Sequence, residues 1–137
     1  MLLILVLLFV VSVGVNNMVK RPKAKGNKFE NDVLRQCRAI LPSSYKTLGS
    51  GNSKDDKGDL VFGKYLIECK HMKDFTDGEL AKFFAKVKSE AEGRLEEGWI
   101  PLVVFKKNQR RAMVMFTFTN PHPVFMYWDD FLEDVSP

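Results

Sequence analysis

Apolar residues recur at helical spacing in two stretches of this chain and at strand spacing in others. From Asn27 to Leu41, the residues Phe29, Val33, Cys37, Ile40 and Leu41 share one stripe. That spacing predicts a first helix, closed by Pro42-Ser43-Ser44. Tyr45 to Leu48 reads as a short strand. Gly49 to Gly58 is too rich in Gly, Asn and Asp for either regular element and reads as a polar loop. Leu60-Val61-Phe62 and Tyr65-Leu66-Ile67 flank Gly63-Lys64, the signature of a hairpin with a two-residue type II′ turn. A second helix starts at Asp77 or Gly78 and runs to about Glu97. Leu80, Phe83, Phe84, Val87, Ala91 and Leu95 lie on its apolar side, and Lys82, Lys86 and Lys88 on its wetter one. Gly98 is placed to act as its C′ residue. Pro101 to Phe105 reads as a buried strand, Lys106 to Arg111 as a basic turn, and Ala112 to Phe118 as another strand. Pro121 and Pro123 break the pattern, and Tyr127 to Val135 predicts a short acidic helix. The order α-β-ββ-α-β-β-α predicts an α/β fold, a mixed sheet with helices packed against it.

The hairpin carries chemistry. A two-residue turn sets Phe62 opposite Tyr65, Val61 opposite Leu66, Leu60 opposite Ile67, and Asp59 opposite Glu68. Directly opposed residues hold their Cβ atoms about 4.5–5.5 Å apart, and like charges there destabilise a sheet. Lys70 projects from the same face as Glu68, because side chains alternate along a strand; His71 projects from the other. Paired acids beside an amine have no stabilising purpose of their own, whereas an oxygen-preferring Mg²⁺ or Mn²⁺ supplies one. Lys70 then serves to orient or deprotonate a water, or to neutralise charge developing on a phosphate. Acids, a metal and an amine near a basic surface point to metal-assisted phosphodiester hydrolysis as the expected chemistry. The alternative from the hairpin alone is a wet turn whose Glu68 and Lys70 are merely solvated.

Charge points to the partner. The chain has 137 residues, enough for one domain with a substantial core. Its 45% hydrophobic and 12% aromatic content excludes a disordered chain. Its net charge is +4, residues 1–17 carry none, and Asp129, Asp130, Glu133 and Asp134 contribute −4, so residues 18–128 carry +8. A basic body of this kind suits a polyanion such as nucleic acid. Lys20, Arg21, Lys23 and Lys25 in a basic arm over residues 20–28, Lys54 and Lys57 in the polar loop, and Lys106, Lys107, Arg110 and Arg111 in the basic turn are the candidate phosphate contacts. The two cysteines, Cys37 and Cys69, fall on apolar positions outside any metal-ligand spacing, and read as small buried hydrophobes in a reducing compartment.

Met1 to Val15 is almost wholly apolar. As a helix it would span roughly 22 Å, short of a ~30 Å hydrocarbon core, and neither a preceding Lys or Arg nor a clear cleavage site marks a secretory leader. Residues 1–17 are accordingly expected to be an over-extended start, with Met18 opening a single domain over 18–137; a leader or membrane anchor is the competing reading.

At Gly58-Asp59 and Glu68-Cys69-Lys70 the sequence resembles the PD-(D/E)XK, or restriction-endonuclease-like, nucleases, with Gly58 where the Pro usually stands. Gly26-Asn27-Lys28-Phe29-Glu30 resembles the first helix of archaeal and phage Holliday-junction resolvases, and Gly49-Ser50-Gly51 their Ser-containing loop. Gly98 to Phe105 and Arg111 to Met115 are similar to the closing strands of phage members. The resemblance covers about residues 25 to 118. It implies a restriction-endonuclease-like core, a central mixed sheet flanked by helices. It also implies Asp59 and Glu68 as metal ligands with the Cys69 carbonyl as a further one, Glu30 supporting the metal or its waters, Lys70 acting on the nucleophile, and Ser50 as a further site residue. The implied activity is a Mg²⁺-dependent, structure-selective DNA endonuclease, a viral-type resolvase that cuts four-way junctions as a homodimer in the host cytoplasm, with Mn²⁺ able to substitute. Competing readings are another nuclease of the fold (nicking, flap or restriction-type), a non-catalytic DNA-binding relative, and a membrane-associated protein.

Overall fold

The computed structural model describes residues 22–47, 60–93, 98–117 and 123–137. Helix α1 spans Pro22–Ile40, strand β1 Tyr45–Lys46, β2 Leu60–Phe62 and β3 Tyr65–Met72. Helix α2 spans Asp77–Glu92, followed by β4 Ile100–Lys107, β5 Met113–Thr117, β6 Val124–Tyr127 and helix α3 Trp128–Val135. The six strands form one sheet in sequence order, β1-β2-β3-β4-β5-β6. Every neighbouring pair is antiparallel except β3 and β4. A parallel pair needs a crossover, and α2 provides it.

The hairpin forms in the expected register: Leu60 faces Ile67, Val61 faces Leu66, and Phe62 faces Tyr65. Gly63 takes φ +57°, while Lys64 stays out of the positive-φ region, the backbone pattern of a II′ turn. A Cβ at Gly63 would stand 3.4 Å from Leu41 Cδ2, so the turn is also packed against the end of α1.

Alternation divides the core between the two sheet faces. Leu60, Phe62, Ile67, Cys69, Leu102, Val104 and Val114 pack against Phe29, Val33, Leu34 and Cys37 of α1 and Trp128 and Phe131 of α3. Val61, Leu66, Val103, Phe105 and Met115 pack against Phe75 and, from α2, Leu80, Phe84, Val87 and Ala91. Each such side chain withdrawn from water contributes about 1.5–3 kcal/mol. Trp128 also donates from Nε1 to Gln36 Oε1 at 2.8 Å, tying α3 to α1. Both cysteines are buried and outside any disulfide among the described residues, and burial pushes the Cys37 thiol up to about 12.

Four expectations change. The basic arm is helical from Pro22: Pro suits the first helical turn, and Lys and Ala are good helix formers. Helix α2 ends at Glu92 with Gly93 as its cap, ahead of Gly98. Lys106 and Lys107 extend β4, so the turn is confined to the residues after them. Finally, β6 was not expected, because it is four residues long, follows Pro123, and keeps Val124 and Tyr127 exposed. Thr76 starts α2 with a capping box: its hydroxyl accepts from Glu79 N at 3.1 Å, and Glu79 Oε1 accepts from Thr76 N at 3.2 Å. Among the described residues no helix is long and apolar enough to cross a membrane.

Candidate active site

Strand β3 lies third in the sheet and presents Leu66, Glu68, Lys70 and Met72 towards α2. Glu68 is only 1% exposed. A carboxyl group that deep requires charged or hydrogen-bonding partners, and two lysines supply them. Lys70 Nζ stands 3.3 Å from Glu68 Oε1. Lys86 Nζ, arriving from α2, donates to the same oxygen at 3.1 Å. The Lys70 ammonium also lies 4.9 Å from the centre of the Phe83 ring, a distance at which ring and cation attract.

Glu68 Oε2 is buried and has no hydrogen-bond partner among the described residues. A divalent ion is what the carboxylate chemistry implies, and this open oxygen beside a saturated one fits an oxygen-ligated cation. Asp59, the expected second carboxylate, lies outside the described residues, as do Ser50, Lys54, Lys57, Lys20 and Arg21. Among the described residues no three acidic, His or Cys side chains converge as a complete metal site.

The structure therefore brings Glu68, Lys70 and Lys86 together. Glu30 sits apart from them. It is buried on α1, with Lys46 Nζ 3.0 Å from its Oε1; the angle makes this an ion contact rather than a hydrogen bond. Lys46 pairs with Leu60, whose side chain belongs to the α1 side, so Glu30 and Glu68 approach the sheet from opposite faces. Sequence reading placed Lys86 on the wet side of its helix. Its position three residues beyond Phe83 and one before Val87, at the border of the buried stripe, was the available signal.

His71 points to the α1 side, as strand parity required, with its ring 5.6 Å from that of Phe29. Burial, followed by the charges of Lys25 and Lys106, holds its pKa below the ordinary value. The basic residues divide accordingly. Lys25 and Lys106 surround His71 on one face. On the other, Lys73, Lys107, Arg110 and Arg111 line a cleft of about 650 Å³ over Phe105, Met113 and Tyr127. This cleft is not at Glu68. It opens from the neighbouring row of the sheet, where Lys70 pairs with Phe105, Phe105 with Met113, and Met113 with Tyr127. Lys107 Nζ lies 3.2 Å from Asp74. Arg111 donates to Asp129 at 2.8 Å and stacks 3.7 Å above Tyr127, and that hydrogen bond draws the Asp129 pKa down. Lys23 lies in the first turn of α1.

The family model described as "Phage putative PDDEXK endonuclease" matches residues 21–128. No curated protein sequence matches the chain. Among solved structures, it is similar to Hjc, a Holliday junction resolvase from Archaeoglobus fulgidus. The two share 18% identity over 76% of this chain and 89% of that one, with a TM-score of 0.49.

Proposed function

This chain belongs to the phage PDDEXK endonuclease family, and we propose that it is a Mg²⁺-dependent, structure-selective endonuclease that resolves four-way DNA junctions. The observation that carries the reading is the buried Glu68 carboxylate, one oxygen held by two lysines and the other open. Asp59, which the hairpin pattern of the sequence expects opposite Glu68, would hold the ion with it, and the Cys69 carbonyl would be a further ligand. Bound there, the ion supplies charge to polarise a phosphodiester and acidify a water. Lys70, fixed between Glu68 and Phe83, holds the attacking water or meets the charge that grows on the phosphate. Ser50 is carried as a further site residue, and Glu30, held by Lys46 on the α1 side, as a support.

The resolvase-like stretches at Gly26–Glu30 and Gly49–Gly51 support junctions as the substrate. Two symmetric cuts need two sites, which a C₂ homodimer would present. The arm and turn lysines and arginines, from Lys20 to Arg111, bind the backbone, and the work takes place in the host cytoplasm. The family match spans residues 21–128, and we take the nuclease domain to be residues 18–137.

The test presents a four-way junction, a flap, a nicked duplex and a linear duplex, each with Mg²⁺ or EDTA. Paired symmetric incisions at the junction alone, lost in EDTA, are expected. Cleavage of every substrate would make the protein a general nuclease, and tight binding without cleavage a scaffold. Asp59→Asn and Glu68→Gln should each lower cleavage by more than the ~10–100-fold typical of losing an outer-sphere partner, with DNA binding retained. Substantial cleavage by both variants in Mg²⁺ refutes the assignment.

A further inference from the structure

We propose that Lys86 is a positioning residue that competes with the divalent ion for Glu68, and so sets the metal affinity of the site. The inference rests on the nuclease reading above. Lys86 belongs to the crossover helix, and its side chain is 55% exposed while the carboxylate it touches is 1% exposed. Its ammonium thus enters the site from the water side, at the end of a long flexible stem. Lys70 has less freedom, since it stands on the same strand as Glu68 and under the Phe83 ring.

Lys86 also has a second carboxylate within reach. Glu90, one helical turn along, places Oε1 4.0 Å from Lys86 Nζ. One ammonium therefore stands between two acids, close to Glu68 and within a short swing of Glu90. Two ammonium groups already hold the single Glu68 carboxylate. A divalent ion bound at that carboxylate would repel both of them. Lys86 is the one with somewhere to go.

Mn²⁺ binding to the full chain, without DNA, tests this by calorimetry or by the loss of the free-ion electron paramagnetic resonance signal. Lys86→Met should bind Mn²⁺ more tightly, by something on the order of 3- to 10-fold for a unit charge removed near a half-solvated site. Lys86→Arg, which keeps the charge, should stay near wild type. Glu90→Gln should weaken Mn²⁺ binding by tightening the hold of Lys86 on Glu68, and that effect should vanish in the Lys86→Met background. Circular dichroism in EDTA confirms that each variant is folded. Unchanged or weaker Mn²⁺ binding by folded Lys86→Met overturns the inference and leaves Lys86 a structural tie between helix and strand. Wild-type Mn²⁺ affinity in Glu68→Gln would instead overturn the proposed metal site itself.

Discussion

At Glu68 two ammonium groups share a single carboxylate oxygen, and this redundancy has an energetic consequence. With either lysine removed, the other still faces the buried charge. With both removed, the carboxylate is stranded, a situation that typically costs about 3–5 kcal/mol. In EDTA, Lys70→Met and Lys86→Met should each lose about 1 kcal/mol in urea unfolding, and the double variant more than their sum, by roughly 0.5–3 kcal/mol of coupling. Additive losses would mean that the lysines act independently. His71 gives a pH signature of its own. The fold favours its neutral form, so its folded pKa lies below the ordinary 6.5. The associated stability is fully present above pH 6.5 and is lost as pH falls from there towards the depressed value, because the unfolded chain takes up the proton first. Urea midpoints measured from pH 7.5 downwards should fall in that window, and His71→Gln should flatten that part of the profile. Strand alternation alone had set Glu68 and Lys70 on one face and His71 on the other. Lys86 was not legible in this way, because helical periodicity reports which side of a helix is wet, not which strand the helix crosses.

Among the elements, the β2–β3 hairpin does most to position the site. Its turn depends on Gly63 at φ +57° against Leu41. Gly63→Ala puts a Cβ into the left-handed region, at about 1–2 kcal/mol, and presses on Leu41. A lower melting temperature is expected, with Gly63→Asn milder because Asn tolerates that region. Equal stability of Gly63→Ala and wild type would show that the turn is not under this constraint. The hairpin could be read to the residue, since its side-chain period and its turn chemistry give the same register. Strand β6 could not, because four residues after a proline carry too little pattern, and their place is decided by pairing with β5. The start of α1 was misjudged for a related reason: a basic composition suggested an arm, while Pro, Ala and Lys are all compatible with a first helical turn.

For the whole molecule, the fold keeps its chemistry and its charge on connected surfaces. The side of the sheet that bears Glu68 and Lys70 continues across one row into the cationic cleft between β4, β5 and β6. DNA binding should weaken steeply with salt, as expected when phosphate contacts release counterions. Arg110→Ala, at the exposed tip of the turn, should reduce the log–log salt slope by about one; an unchanged slope would remove that residue from the interface. The central position of β3 carries a last consequence. The strand pairs with β4 along its whole length and, among the described residues, with β2 over Tyr65 to Ile67, so the doubly paired amides should exchange slowly. The candidate site residues Glu68 and Lys70 therefore stand on backbone braced by β4, whereas the rims, β1 and β6, have a neighbour on one side alone among the described residues.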